Sequence, residues 1–281
     1  ISNLIWPLAL LVLALAPRLP GLQLFLTTDE PFFADQAAYV MTGLLRGDFG
    51  ATYWNFYPGL TMIWLEVLGV AARWGLDSIQ GVATEPFTQF IRRDILELLV
   101  ALRLPYALLS ALFVVAVFLL MRRLTDQRVA VVAALLVAFD PLFLAHSRVV
   151  HGDMPTAVFM GVAALAYALH LHQGAADPAA GPDISRLKTV SGWLLLSAIC
   201  GGLAALTKSP GQFVVPLVIF IGLGDWAIAG ARRQRKTTLR RRLVELAIWG
   251  AVAGVVFVCL WPAVWVDPIG TLGRMLDETF G

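Results

Sequence analysis

Six apolar runs, at 96–121, 129–146, 154–172, 191–207, 212–229 and 243–262, follow one another with short polar breaks between them. At about 1.5 Å of rise per helical residue, runs of this length each cross about 30 Å of hydrocarbon. Inside hydrocarbon only a helix or a closed barrel satisfies its own backbone, and continuous apolar runs suit the helix. The sequence therefore predicts an all-α, polytopic membrane protein. Composition agrees: 14% of the residues are charged, against about 25% in a soluble domain.

The breaks between runs carry the topology. Arg122, Arg123 and Arg128 form one basic loop, and seven Lys and Arg residues lie between Arg232 and Arg242. Such clusters mark cytoplasmic loops, so the net charge of +2 reports membrane orientation and implies no nucleic-acid partner. The segment 173–190, with Arg186 and Lys188, falls on the same side. A further apolar run, 4–19, is short for a span. A cleaved signal peptide is disfavoured because no small-residue cleavage site follows it.

The run 58–75 is equally short and contains Glu66 and Arg73. If it crossed fully, both basic loops would move outside, so parity makes it an interfacial or re-entrant helix within a large outer loop, 20–95. That gives about seven spans in one transmembrane domain, 1–281. The chain opens at Ile1 without an initiator Met and stops at Gly281, which reads as part of a longer protein. Cys200 and Cys259 stand singly in apolar runs without metal-type spacing and read as free thiols.

With this topology the unusual polar residues gather on one surface. The first outer loop has Asp29, Glu30 and Asp35. The second has His146, Ser147, Arg148, His151 and Asp153, and the third has Lys208. Ionisable groups at membrane depth cost several kcal/mol unless paired or hydrated, which makes them functional candidates. Blander roles compete: Asp153 precedes Pro155 and suits a helix cap, Arg148 and Lys208 sit near span ends where long cations reach for water, and each His can satisfy a local hydrogen bond. Asp35, six residues after Asp29, lies about 120° away around a helix. His151, Asp153 and Glu30 form a divalent-ion site if their loops converge. Carboxylates beside two cations at a membrane surface suit group transfer from a lipid phosphate: a carboxylate takes the acceptor's proton, and the cations hold the departing charge.

Asp29-Glu30 after the first span, Arg103-Leu104-Pro105, Asp140-Pro141 leading through His146-Ser147-Arg148 to Asp153-Met154-Pro155, and Leu206-Thr207-Lys208 occur here in order. In these motifs the chain resembles glycosyltransferase family 39, the protein O-mannosyltransferases, and the aminoarabinose transferases, all of GT-C fold. The resemblance implies a GT-C helix bundle whose large first extracytoplasmic loop carries interfacial helices. It also implies inverting transfer of a hexose or pentose from a polyprenyl-phosphate-linked sugar, at the outer face of the plasma (inner) membrane, to an acceptor it does not specify. It makes Asp29 the base and Glu30 its motif partner. Asp153 then contacts acceptor or metal, and Lys208 the donor phosphate; Arg148 is a phosphate partner by position. His151 and Tyr57 complete the substrate-binding set. Where related enzymes carry a His-Pro-Pro or Lys-Pro element, this chain reads Tyr57-Pro58-Gly59 and lacks that cation or imidazole. No cofactor is required beyond a possible divalent cation. Other classes remain open to the residues alone: a secondary transporter, expected to show midplane charges and inverted repeats, or a noncatalytic membrane subunit of a larger assembly.

Overall fold

The computed structural model describes residues 2–55, 58–176, 191–231 and 238–280, and among these it contains helices and turns but no strand. Four helical stretches are long and apolar enough to cross a membrane: Ile95–Leu124, Asp153–Gln173, Ser209–Ala231 and Leu239–Cys259. Three shorter apolar helices, Leu4–Leu15, Gln127–Phe139 and Gly192–Thr207, occupy the remaining expected positions. The protein is thus an all-α polytopic membrane protein. Tyr57 lies outside the described residues, as do 177–190 and 232–237.

The longest helix, α5 (Ile95–Leu124), organises the bundle. Asp94 opens it by accepting from the Leu96 N–H at 2.8 Å. It packs against α1 (Ser2–Leu15), α3 (Leu60–Ile79), α6 (Gln127–Phe139) and α8 (Asp153–Ala176). Small buried residues let α1 and α6 approach closely: Ala14, Ala111, Ala130, Ala134 and Ala138 are all inaccessible to solvent. A second core joins α8 to α9 (Gly192–Thr207), α10 (Val214–Ala231) and α11 (Leu239–Cys259) around Tyr167 and Trp249.

One expected span is broken. The run 129–146 divides at Asp140, which ends α6 and caps α7 (Pro141–His146) by accepting from Phe143 N–H at 2.7 Å. Pro141 takes the first helical position, where its missing donor costs nothing.

Helix α3 runs antiparallel to α5. Glu66 meets Tyr106, whereas Gly69, later in α3, meets Ala101, earlier in α5. The start of α3 is tied to the end of α9 by a Thr61–Thr207 hydrogen bond of 2.6 Å, and Trp74, further on, bonds the Glu85 carbonyl ahead of α5. Helix α3 therefore leaves and re-enters the same end of the bundle. That end also holds the turn at Thr52, which accepts from Trp261 and Ala263 beside α12 (Pro262–Val266). The amphipathic α13 (Pro268–Phe280) follows. The other end collects basic groups. There Arg123 stacks 4.9 Å over Trp193, and Arg242 pairs with Glu245 at 2.8 Å and Asp225 at 2.9 Å.

Candidate active site

Four segments meet at the non-basic end, and Glu30 joins three of them. It is the first residue of α2 (Glu30–Leu45) and is wholly buried. Its Oε1 accepts from Arg103 Nε at 2.6 Å and from Val150 N–H at 3.0 Å. Its Oε2 accepts from Arg103 Nη2 at 2.5 Å and from Thr27 N–H at 2.8 Å. A carboxylate offers about four lone-pair sites, and all are used. Arg103 is equally spent: its remaining donors go to the carbonyls of Leu22 at 2.7 Å, Leu24 at 2.8 Å and Phe25. Phe25 itself sits at φ 55°, a left-handed conformation an aromatic residue seldom adopts, with its carbonyl held by this guanidinium. Burial pushes the Glu30 carboxyl upward, but Arg103 and the two backbone donors outweigh it and hold it below its usual value.

Glu30 is expected as the motif partner of Asp29 and a candidate metal ligand, and the structure shows every one of its lone pairs already facing a protein donor. Its oxygens are committed to locking the loop before α2 and the loop before α8 onto α5. In the sequence Arg103 stands out only within the Arg103-Leu104-Pro105 motif. The signal for more was present, since it is a lone cation inside an apolar span and needs a buried partner.

Asp29, one residue away, is exposed and caps α2 without a side-chain cap bond. Its carboxylate makes no hydrogen bond or ion pair among the described residues. It lines a cavity of about 320 Å³ together with Phe32, Phe33, Met62, His151, Gly152 and Lys208. Of the predicted residues, the structure therefore brings Asp29, His151 and Lys208 to one cavity. Asp153 stands at its edge through an ion pair of 2.7 Å between its Oδ1 and Lys208 Nζ. Asp153 is the first residue of α8, and its carboxylate turns to Lys208 and to His151 Nδ1 at 3.2 Å. Gly152 permits this closeness: a Cβ there would stand 2.9 Å from Met62 Sδ and 3.4 Å from Lys208 Cδ.

Two other residues are placed elsewhere. Arg148, expected as a phosphate partner, does not line the cavity, and its guanidinium bonds the Pro20 carbonyl. Asp35 points away from Asp29 and lines a separate cavity of about 380 Å³ with Arg92, Arg93 and Asp94, in line with its helical angle from Asp29. Phe33 and Met62 were not legible as site residues, since an apolar side chain that faces a cavity has the same pattern as one in the core. An apolar groove of about 560 Å³ lies between α9, α10 and α11, flanked by Gly201, Val215, Trp249 and Phe257, and shares no residue with the Asp29 cavity.

A family model for dolichyl-phosphate-mannose-protein mannosyltransferase matches residues 97–275, well over half of the chain. The chain belongs to this mannosyltransferase family. It is accordingly a membrane glycosyltransferase of a family that draws its sugar from a polyprenyl-phosphate donor. The match spans Arg103, Asp153 and Lys208 and begins after Asp29 and Glu30. No curated protein matches the chain.

Proposed function

We propose that this mannosyltransferase-family protein moves a hexose or pentose, with inversion, from a polyprenyl phosphate to a hydroxyl of a protein, lipid or glycan acceptor. Its single domain sits in the plasma (inner) membrane with the Asp29 cavity on the extracytoplasmic face. The observation that carries this reading is the shared cavity: an unbonded carboxylate, Asp29, and an ammonium, Lys208, line the same 320 Å³ space.

In the proposed step, Asp29 accepts the acceptor's hydroxyl proton as that oxygen attacks the anomeric carbon. The bond from that carbon to the phosphate oxygen breaks, and the electron pair leaves with the phosphate, whose charge is met by Lys208. Phosphate is already a good leaving group, so one base suffices and no separate acid is needed. Asp153 holds the Lys208 ammonium in place at 2.7 Å, and Glu30 with Arg103 fixes the start of α2 that presents Asp29. The basic loops at the other end of the bundle, on the cytoplasmic side by the positive-inside rule, support an extracytoplasmic cavity.

The test is transfer by the purified Asp29→Asn variant, from polyprenyl-phosphate mannose to a panel of acceptors. Removing a general base lowers rate by about 10²–10⁴-fold, and the thermal midpoint should not move because this carboxylate bonds nothing. Transfer near the wild-type rate would remove Asp29 from the mechanism.

A further inference from the structure

His146, His151 and Asp153 each present a ligand atom, and these atoms all lie within 4.8 Å of one another; no other such His, Cys, Asp and Glu group gathers among the described residues. Glu30, the acid first expected beside His151 and Asp153, is not among them. His146, at the end of α7, takes its place.

The local hydrogen bonds prepare this trio. His146 Nδ1 lies 2.9 Å from the Leu142 carbonyl. A carbonyl only accepts, so Nδ1 carries the proton and Nε2 keeps its lone pair. Metal-binding imidazoles are held in this way, one nitrogen fixed on a backbone carbonyl and the other presented to the ion. His151 is steadied by the Phe33 ring, edge to face at 6.2 Å, and its own ring stands 5.8 Å from that of His146. Asp153 gives Oδ1 to Lys208, while its Oδ2 faces His151.

We infer that His146, His151 and Asp153 form a binding site for a divalent transition-metal ion of the zinc class. Two imidazoles and a carboxylate suit zinc or cobalt, whereas calcium and magnesium take oxygen ligands. Three protein ligands leave a coordination position open. His151 also lines the Asp29 cavity, so the ion would sit at its wall and add a second positive charge beside Lys208. The inference does not depend on the transferase reading.

The experiment is a cobalt titration of the full chain, purified in detergent without a polyhistidine tag and stripped of metal, read by visible d–d absorption. One cobalt per chain is expected, displaced by zinc, with His146→Ala and His151→Ala each weakening binding by at least about tenfold. His172→Ala, an exposed residue far along α8, should bind as the wild type does. Should His146→Ala aggregate, His146→Gln is read in its place. The inference is overturned by a wild type that gives no cobalt absorption, by either site variant binding undiminished, or by an equal loss in His172→Ala. A transfer assay that fails while cobalt binds would count against the transferase step alone.

Discussion

Asp29 and Glu30 are adjacent carboxylates in opposite circumstances. Glu30 is saturated by Arg103 and two backbone donors, and Asp29 faces a cavity with its oxygens unbonded. Breaking a buried ion pair from one side leaves an uncompensated charge, at a cost of about 3–5 kcal/mol. Glu30→Gln should therefore lower the thermal midpoint sharply, whereas Asp29→Asn should not. The pH dependence has a definite sign. Because folding lowers the Glu30 pKa from its ordinary 4.5, the pair contributes fully above about 4.5, and its contribution is lost as pH falls from there through the folded value. Thermal melts taken from neutrality down through that range should show the loss in the wild type and a smaller one in Glu30→Gln. Equal acid slopes in the two proteins would contradict the ion-pair account. The Asp-Glu pair was legible in the sequence, but which member was buried was not. That depended on Arg103, 73 residues away, and on the Val150 amide.

At the scale of elements, α3 sets the shape of the site, because it carries Met62 to the cavity and Thr61 to the end of α9. Its closeness to α5 requires Gly69, where a Cβ would stand 1.9 Å from the Ala101 carbonyl oxygen, a helical backbone atom with little freedom to move. Gly69→Ala should push the two helices apart at a cost of about 1–3 kcal/mol and reduce transfer as Met62 and Thr61 shift. Gly75→Ala, on the same helix but with nothing within 4 Å of the added Cβ, should be neutral or stabilising by up to about 1 kcal/mol. Thermal midpoints and transfer rates of the two variants check the contrast; equal effects would mean that helix propensity, not the crossing, governs Gly69. The division of 129–146 at Asp140-Pro141 was readable in principle, since Asp followed by Pro is a cap and a helix start. A hydropathy run passes over such a break because the residues on either side stay apolar.

At the scale of the whole molecule, alternating spans place the Asp29 cavity and the basic clusters at opposite ends, and α3 adds no crossing. Gln80 and Thr125 are both exposed and lie at these two ends. With the exposed Cys259 replaced by Ala, Gln80→Cys should react with a membrane-impermeant maleimide in intact cells. Thr125→Cys should react only after permeabilisation. The reverse pattern would invert the orientation and put the cavity in the cytoplasm.

By itself the sequence determined the class of fold, because continuous apolar runs of membrane-crossing length suit helices, which satisfy their own backbone in hydrocarbon. It also showed which loops hold ionisable groups. Only the tertiary structure decided which of those groups meet. Arg148 turned to the Pro20 carbonyl, Glu30 became a buried clamp, and His146 joined His151 and Asp153. The reason is physical: hydropathy and charge act through local sequence and are legible one segment at a time. The fate of a polar side chain is set by whichever donors and acceptors the packing of distant helices brings within about 3 Å.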